Sequence, residues 1–139
     1  MNILILNGPN LNLLGKREPD TYGQQDFDSY LKELREAFAD HELNYAQSNV
    51  EGELVNALQA ADGNFDAVVF NAGGYTHTSV AIADCVAAIG VEVIEVHISN
   101  VYAREEYRHQ SLMAKNCIGV IAGFGLTSYE LALRFLLSR

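Results

Sequence analysis

Short apolar runs alternate with amphipathic stretches along the whole chain, and that alternation leaves few folds open. The runs are Ile3 to Leu6, the AVVF stretch within Asp66 to Asn71, the largely apolar Val91 to Ile98, and Cys117 to Ala122, and Leu43 to Gln47 reads as a further short strand. Runs that are apolar at consecutive positions need cover on both faces, which marks strands of a parallel sheet packed between helices. Between them the apolar residues return at helical spacing. Residues 26–40 carry Phe27, Tyr30, Leu31, Leu34, Ala37 and Phe38, with Asp26 as the expected N-cap. Leu54, Val55, Leu58 and Ala61 give the next helix one apolar face before Gly63 and Asn64, and residues 78–89 place Ile82, Val86 and Ile89 inward before Gly90. Leu126, Tyr129, Leu133, Leu136 and Leu137 form the apolar face of the last helix. Ser48 with Glu51, and Thr127 with Glu130, have capping-box spacing. Residues 99–115 read as irregular, with a short helical piece around Arg104 to Arg108.

The order is therefore βαβαβαβαβα. It predicts an α/β protein with a flavodoxin-like five-stranded parallel sheet, strand order 2-1-3-4-5, and helices on both faces. Its 139 residues suit one domain spanning 1–139. In open sheets of this kind, sites form beyond the carboxyl ends of the strands, where the strand order reverses. Here that is the gap between the first and third strands. Loops 7–23 and 71–77 meet there, and His97 to Asn100 lies beside them. The first of these is unusually long, since most connections are about 2–6 residues, and long ones tend to be functional.

Composition narrows the function. Net charge is −9 at pH 7, which argues against nucleic acid and anionic membrane surfaces as partners. No apolar run approaches the roughly 18 residues of a membrane span, and the N-terminus lacks the pattern of a signal peptide. Cys85 and Cys117 read as reduced core residues, and the chain is expected to be cytoplasmic. The spacing of Gly8, Gly15 and Lys16 does not fit a phosphate loop, and no Ser or Thr follows Lys16. No GxGxxG follows a strand, no GxSxG elbow occurs, and the histidines do not form HExxH. Neither a metal nor a cofactor is expected.

What remains is an acid–base set: Tyr22, His97, Arg17, Arg108, Asn71, His77, Asp84 and Ser99. A tyrosine acts as a general base at neutral pH only if its pKa falls by about three units, roughly 4 kcal/mol. A nearby guanidinium supplies much of that, and Arg17 shares the loop. His97 is a natural proton donor, and Glu95, on the same side of the strand, can orient its ring. Arg104 and Arg108, one helical turn apart, can hold a carboxylate. Each has an ordinary reading as well. Arg17 can be a solvated loop residue, Tyr22 a cap of the loop on the core, and His97 a hydrogen-bonded structural residue. Asn71 can close a turn, Asp84 can lie at a helix edge, and the arginines can pair with Glu105 and Glu106. Residue types and spacing alone reach a small α/β enzyme acting on a small anion.

Three long motifs carry a resemblance: NGPNLNLLGKREPDTYG at 7–23, NAGGYTHTSVAIAD at 71–84 and EVHISNVYAREEYRHQS at 95–111. With GFGLTSYELAL at 123–133, they resemble the type II 3-dehydroquinases (3-dehydroquinate dehydratases) over essentially the whole chain. The resemblance implies dehydration of 3-dehydroquinate to 3-dehydroshikimate without cofactor, metal or Schiff-base lysine. It casts Tyr22 as the base, Arg17 as its stabilising cation and His97 as the proton donor. Substrate contacts fall on Asn71, His77, Asp84, Ile98, Ser99 and Arg108. It also implies a mobile lid around 17–23 and a homododecamer, a tetramer of trimers. Two positions depart from the pattern, Ala72 where many members have Pro and Ala83 where many have Arg, suggesting a looser 71–74 turn and an altered helix surface or subunit contact. The rival readings are a non-catalytic binding or assembly protein of the same fold and a redox flavoprotein. The Ser/Thr-rich phosphate loop of the latter is missing after the first strand.

Overall fold

The computed structural model describes residues 1–16, 20 and 25–139. Arg17, Tyr22 and most of the expected lid lie outside them. The strands are β1 (Asn2–Asn7), β2 (Glu42–Gln47), β3 (Ala67–Asn71), β4 (Glu92–His97) and β5 (Gly119–Ala122). The α-helices among the described residues are α1 (Phe27–Ala37), α2 (Glu51–Ala61), α3 (Val80–Ala88) and α4 (Thr127–Leu137). All strand pairings are parallel, and the order is β2-β1-β3-β4-β5. This is the flavodoxin-like architecture that the alternation predicts.

Strand alternation divides the core in two. Ile3, Ile5, Ala67, Val69, Ile94 and Val96 face one way, against Leu31 and Leu34 of α1 and Tyr129, Leu133 and Leu136 of α4. Leu4, Leu6, Val68, Phe70 and Val93 face the other way, against Leu54 and Leu58 of α2 and Ile82 and Val86 of α3. Fully burying one such aliphatic or aromatic side chain contributes about 1.5–3 kcal/mol. Register is therefore strongly held, because a one-residue slip would exchange the two faces. In that register Asn7 at the end of β1 stands opposite Asn71 at the end of β3. The next residues touch. The N–H of Gly8 donates to the carbonyl of Asn71 at 2.7 Å. A Cβ at Gly8 would lie 2.6 Å from the carbonyl oxygen of Ala72, so only glycine fits.

Several boundaries differ from the sequence expectation for local reasons. Asp26 does cap α1, accepting from the N–H of Ser29 at 2.8 Å. Neither expected capping box forms. Ser48 instead accepts from the N–H of Val50, the residue that precedes α2. Leu126 before α4 is already helical, because Gly123 and Gly125 at positive φ turn the chain directly into the helix. Ser128 then accepts from the N–H of Phe124. Strand β5 starts two residues later than expected, because Cys117 closes the 3₁₀ turn at Ala114–Asn116. The helical piece expected at 104–108 is two 3₁₀ turns, Val101–Ala103 and Glu106–Arg108, with Arg104 extended between them. Ala72 has φ −76° and is fully buried. That φ is one that proline also takes, so alanine leaves the turn's direction unchanged. Ala83 packs into the α2–α3 side of the core.

Candidate active site

The carboxyl ends of β1, β3 and β4 open into one cavity. Among the described residues it is lined by Pro9, Asn10, Leu11, Leu14, Asn71, Gly73, Gly74, His77, His97, Ile98, Ser99, Val101, Arg104 and Arg108. The cavity lies at the end of the sheet where the fold rule places a site. It brings together Asn71, His77, His97, Ile98, Ser99 and Arg108. Asp84 is the exception among the described candidates. It is exposed on α3 and does not line the cavity of its own chain. Tyr22 and Arg17 are outside the described residues.

The best-defined part of the site is buried beneath it. His97 and Glu95 are two residues apart on β4 and share one side of the sheet, with exposures of 6% and 1%. Nε2 of His97 lies 2.6 Å from Oε2 of Glu95. A carboxylate only accepts, so Nε2 donates and Nδ1 is left for the cavity. The other carboxylate oxygen, Oε1, accepts from the hydroxyl of Ser111 at 2.6 Å. Ser111 Oγ in turn accepts from the N–H of Ala114 at 3.1 Å, which directs its proton to Glu95. Both carboxylate oxygens are thus engaged, and the ring of His97 has a fixed tilt and tautomer. Strand alternation foretells the contact with Glu95. Ser111 lies in an irregular segment, and nothing in its sequence context points to it.

His77 stacks against His97, with centroids 6.2 Å apart and planes at 21°. Its Nδ1 donates to the carbonyl of Gln110 at 2.8 Å, leaving Nε2 available. Burial lowers the pKa of His77 below the usual histidine value, and the neighbouring His97 and Arg108 act in the same direction. His77 is therefore suited to be a neutral hydrogen-bonding group. Arg108 is held in an ion pair with Glu105 and lies over the ring of Tyr107. Arg104 Nη1 reaches Ser99 Oγ at 3.5 Å, at the limit of a hydrogen bond. The two arginines reach one cavity although no helix connects them. Among the described residues, no group of three or more His, Cys, Asp and Glu side chains is placed to hold a metal ion.

The sequence profile of the family described as Dehydroquinase class II matches residues 1–137. The chain belongs to the class II dehydroquinase family. A 3-dehydroquinate dehydratase of an Exiguobacterium species is 56% identical over 138 residues, covering 99% of this chain and 94% of the relative. The crystal structure of the type II dehydroquinase of Butyrivibrio crossotus superposes with a TM-score of 0.93 at 42% identity, over 99% of this chain and 97% of that one. That of Propionibacterium acnes gives 0.94 at 39% identity, with the same coverage. Class II dehydroquinase sequence and fold therefore extend over almost the whole chain, and the cavity described above lies in the part that matches.

Proposed function

We propose that this chain is a 3-dehydroquinate dehydratase, a hydro-lyase that converts 3-dehydroquinate to 3-dehydroshikimate by trans elimination of water through an enolate, in the shikimate pathway. The observation that carries the reading is the oriented pair His97–Glu95 at the cavity floor, in a chain of the class II dehydroquinase family.

The chemistry is assigned as follows. Tyr22, as phenolate, takes the proton from the carbon between the ketone and the carbon bearing the leaving hydroxyl. Arg17 holds that phenolate ionised. The electron pair moves onto the ketone oxygen, and N–H donors around Asn71 stabilise the enolate that forms. The enolate then collapses to expel the hydroxyl, which takes the Nδ1 proton of the doubly protonated His97 ring and leaves as water, the Nε2 proton staying on the bond to Glu95. Glu95 keeps that ring turned towards the substrate throughout. His77, Ile98, Ser99 and Arg108 bind the carboxylate and ring hydroxyls, and closure of residues 17–23 over the substrate excludes water. No step draws on a metal or an organic cofactor.

The match over residues 1–137 supports reading the chain as one catalytic domain. No helix among the described residues is long and apolar enough to cross a membrane. A cytoplasmic location, with neither membrane nor nucleic acid as partner, is part of the same proposal, and the net charge of −9 supports it. The assembly we propose is a homododecamer, a tetramer of trimers. Asp84 is exposed and outside its own chain's cavity. In such an assembly it is offered to the site of a neighbouring copy.

The test is ultraviolet absorbance after 3-dehydroquinate is added to purified protein, with Tyr22→Phe alongside and repeats in chelator and borohydride. The product is a conjugated enone and absorbs where the substrate does not. The expected result is a rise that survives both reagents and drops at least about a hundredfold in rate in the variant, the lower end of what a general base contributes. A folded wild-type protein that gives no rise would refute the assignment.

A further inference from the structure

Behind the cavity floor a chain of hydrogen bonds reaches Asn71 from Tyr129, Asn7 and Tyr45, which the proposed chemistry does not use. Asn71 is 3% exposed, and Asn7 and Tyr129 are fully buried. Nδ2 of Asn71 donates to the hydroxyl of Tyr129 at 2.9 Å. That hydroxyl donates to Oδ1 of Asn7 at 2.7 Å. Nδ2 of Asn7 then donates to the hydroxyl of Tyr45 at 3.3 Å. At the near end, Oδ1 of Asn71 accepts from the N–H of Gly73 at 3.1 Å.

The chain has a direction. Asn7 spends an N–H on Tyr45, so its oxygen faces Tyr129 and accepts. The only proton of the Tyr129 hydroxyl is thereby committed to Asn7, and its oxygen can only accept from Asn71. Burial pushes the phenol of Tyr129 far above its ordinary pKa, so the proton stays in place at any working pH. The amide of Asn71 is held at both ends, with its oxygen turned to Gly73 and one N–H turned to Tyr129. Its second N–H is the group left for the cavity that Asn71 lines.

We infer that Tyr129 is a positioning residue which acts through Asn71, fixing that amide so that it offers an N–H, and not its carbonyl oxygen, to an anionic oxygen in the cavity. This rests on the proposed dehydration, in which that oxygen is the ketone oxygen becoming an enolate. Without the Tyr129 hydroxyl the amide loses one of its two anchors and can turn its oxygen, a repulsive acceptor, towards the developing charge.

The experiment compares kcat/KM of wild type, Tyr129→Phe, Asn71→Ala and the double variant, with 3-dehydroquinate as substrate. Beside it, NMR follows hydrogen exchange of the Asn71 side-chain amide, assigned by its absence in Asn71→Ala. Tyr129→Phe is expected to lower kcat/KM about tenfold in the wild-type background, as misplacement of a positioned group does. In the Asn71→Ala background it is expected to change nothing further. A purely structural loss would lower both backgrounds by one factor. The Asn71 amide protons are expected to exchange at least tenfold faster in Tyr129→Phe. Equal factors in the two backgrounds, or unchanged exchange, would overturn the inference. Exchange also decides it if wild type turns over no substrate, a result that would refute the dehydratase reading instead. If Tyr129→Phe does not fold, Asn7→Ala serves, since it frees the Tyr129 proton to turn onto Asn71, and its effect is expected in the same direction.

Discussion

Replacing Glu95 by Gln tests the oriented histidine with the least change of shape. Glu95 is 1% exposed and does not line the cavity, so the substitution removes a charge without touching a ligand. Its consequences follow from Ser111. The Ser111 oxygen already accepts from the N–H of Ala114 and has its own proton to give, so the glutamine carbonyl oxygen is drawn to Ser111. The glutamine NH₂ then faces Nε2 of His97, which must accept. The ring is forced to carry its proton on Nδ1 alone. The doubly protonated form, needed whenever Nδ1 delivers a proton and is recharged, has a donor facing a donor. A hydrogen bond to a charged group contributes about 1.5–3 kcal/mol. At 1.4 kcal/mol per tenfold, Glu95→Gln should lower kcat roughly 10- to 150-fold. KM should change little, because the ring still occupies its place. The assay is enone absorbance under saturating and limiting substrate, with circular dichroism to establish folding. A folded variant whose kcat stays within twofold of wild type would refute the view that Glu95 sets the protonation geometry of His97.

Two further substitutions test how the site is built. Gly8→Ala should destabilise by about 1–3 kcal/mol, because its Cβ meets backbone and no rotamer relieves the contact; thermal unfolding would show this as a clear drop in midpoint. His77→Asn tests the half-buried neutral imidazole. The folded-state pKa of His77 lies below its unfolded value of about 6.5, so between the two the unfolded chain binds more protons. Its contribution to stability is therefore present above about pH 6.5 and is lost as pH falls through the folded value. Urea midpoints at acid and neutral pH should converge in His77→Asn relative to wild type, and an unchanged pH dependence would exclude this role.

Much of the lining of the candidate site was legible because loop position follows from strand order. Once five strands are placed in the order 2-1-3-4-5, Asn71, His77, His97, Ile98, Ser99 and Arg108 must lie at one end of the sheet. Glu95 was legible for the same reason, since residues two apart on a strand share a face. The relation of Arg104 to Arg108 was not. Four residues apart suggested one helical turn, whereas the chain extends at Arg104 and brings both arginines to the cavity by another route. The substrate contact expected of Asp84 came from a motif, and its exposure on α3 separates it from the cavity of its own chain.

The sequence by itself determined the layers, the strand order and the end of the sheet where the site forms. Those follow from periodicity, a property that neighbouring residues carry together and that burial of apolar faces enforces. Only the tertiary structure decided how polar side chains are paired. Tyr129 read as one more member of an apolar helix face, yet its hydroxyl meets Asn7, 122 residues away in sequence. Ser111 read as part of an irregular segment, yet it holds the carboxylate that holds His97. A hydrogen bond needs donor and acceptor within a few tenths of an ångström and a narrow range of angles. Periodicity fixes which face a side chain is on but not its partner across the core, and that partner is set only when the helices have packed.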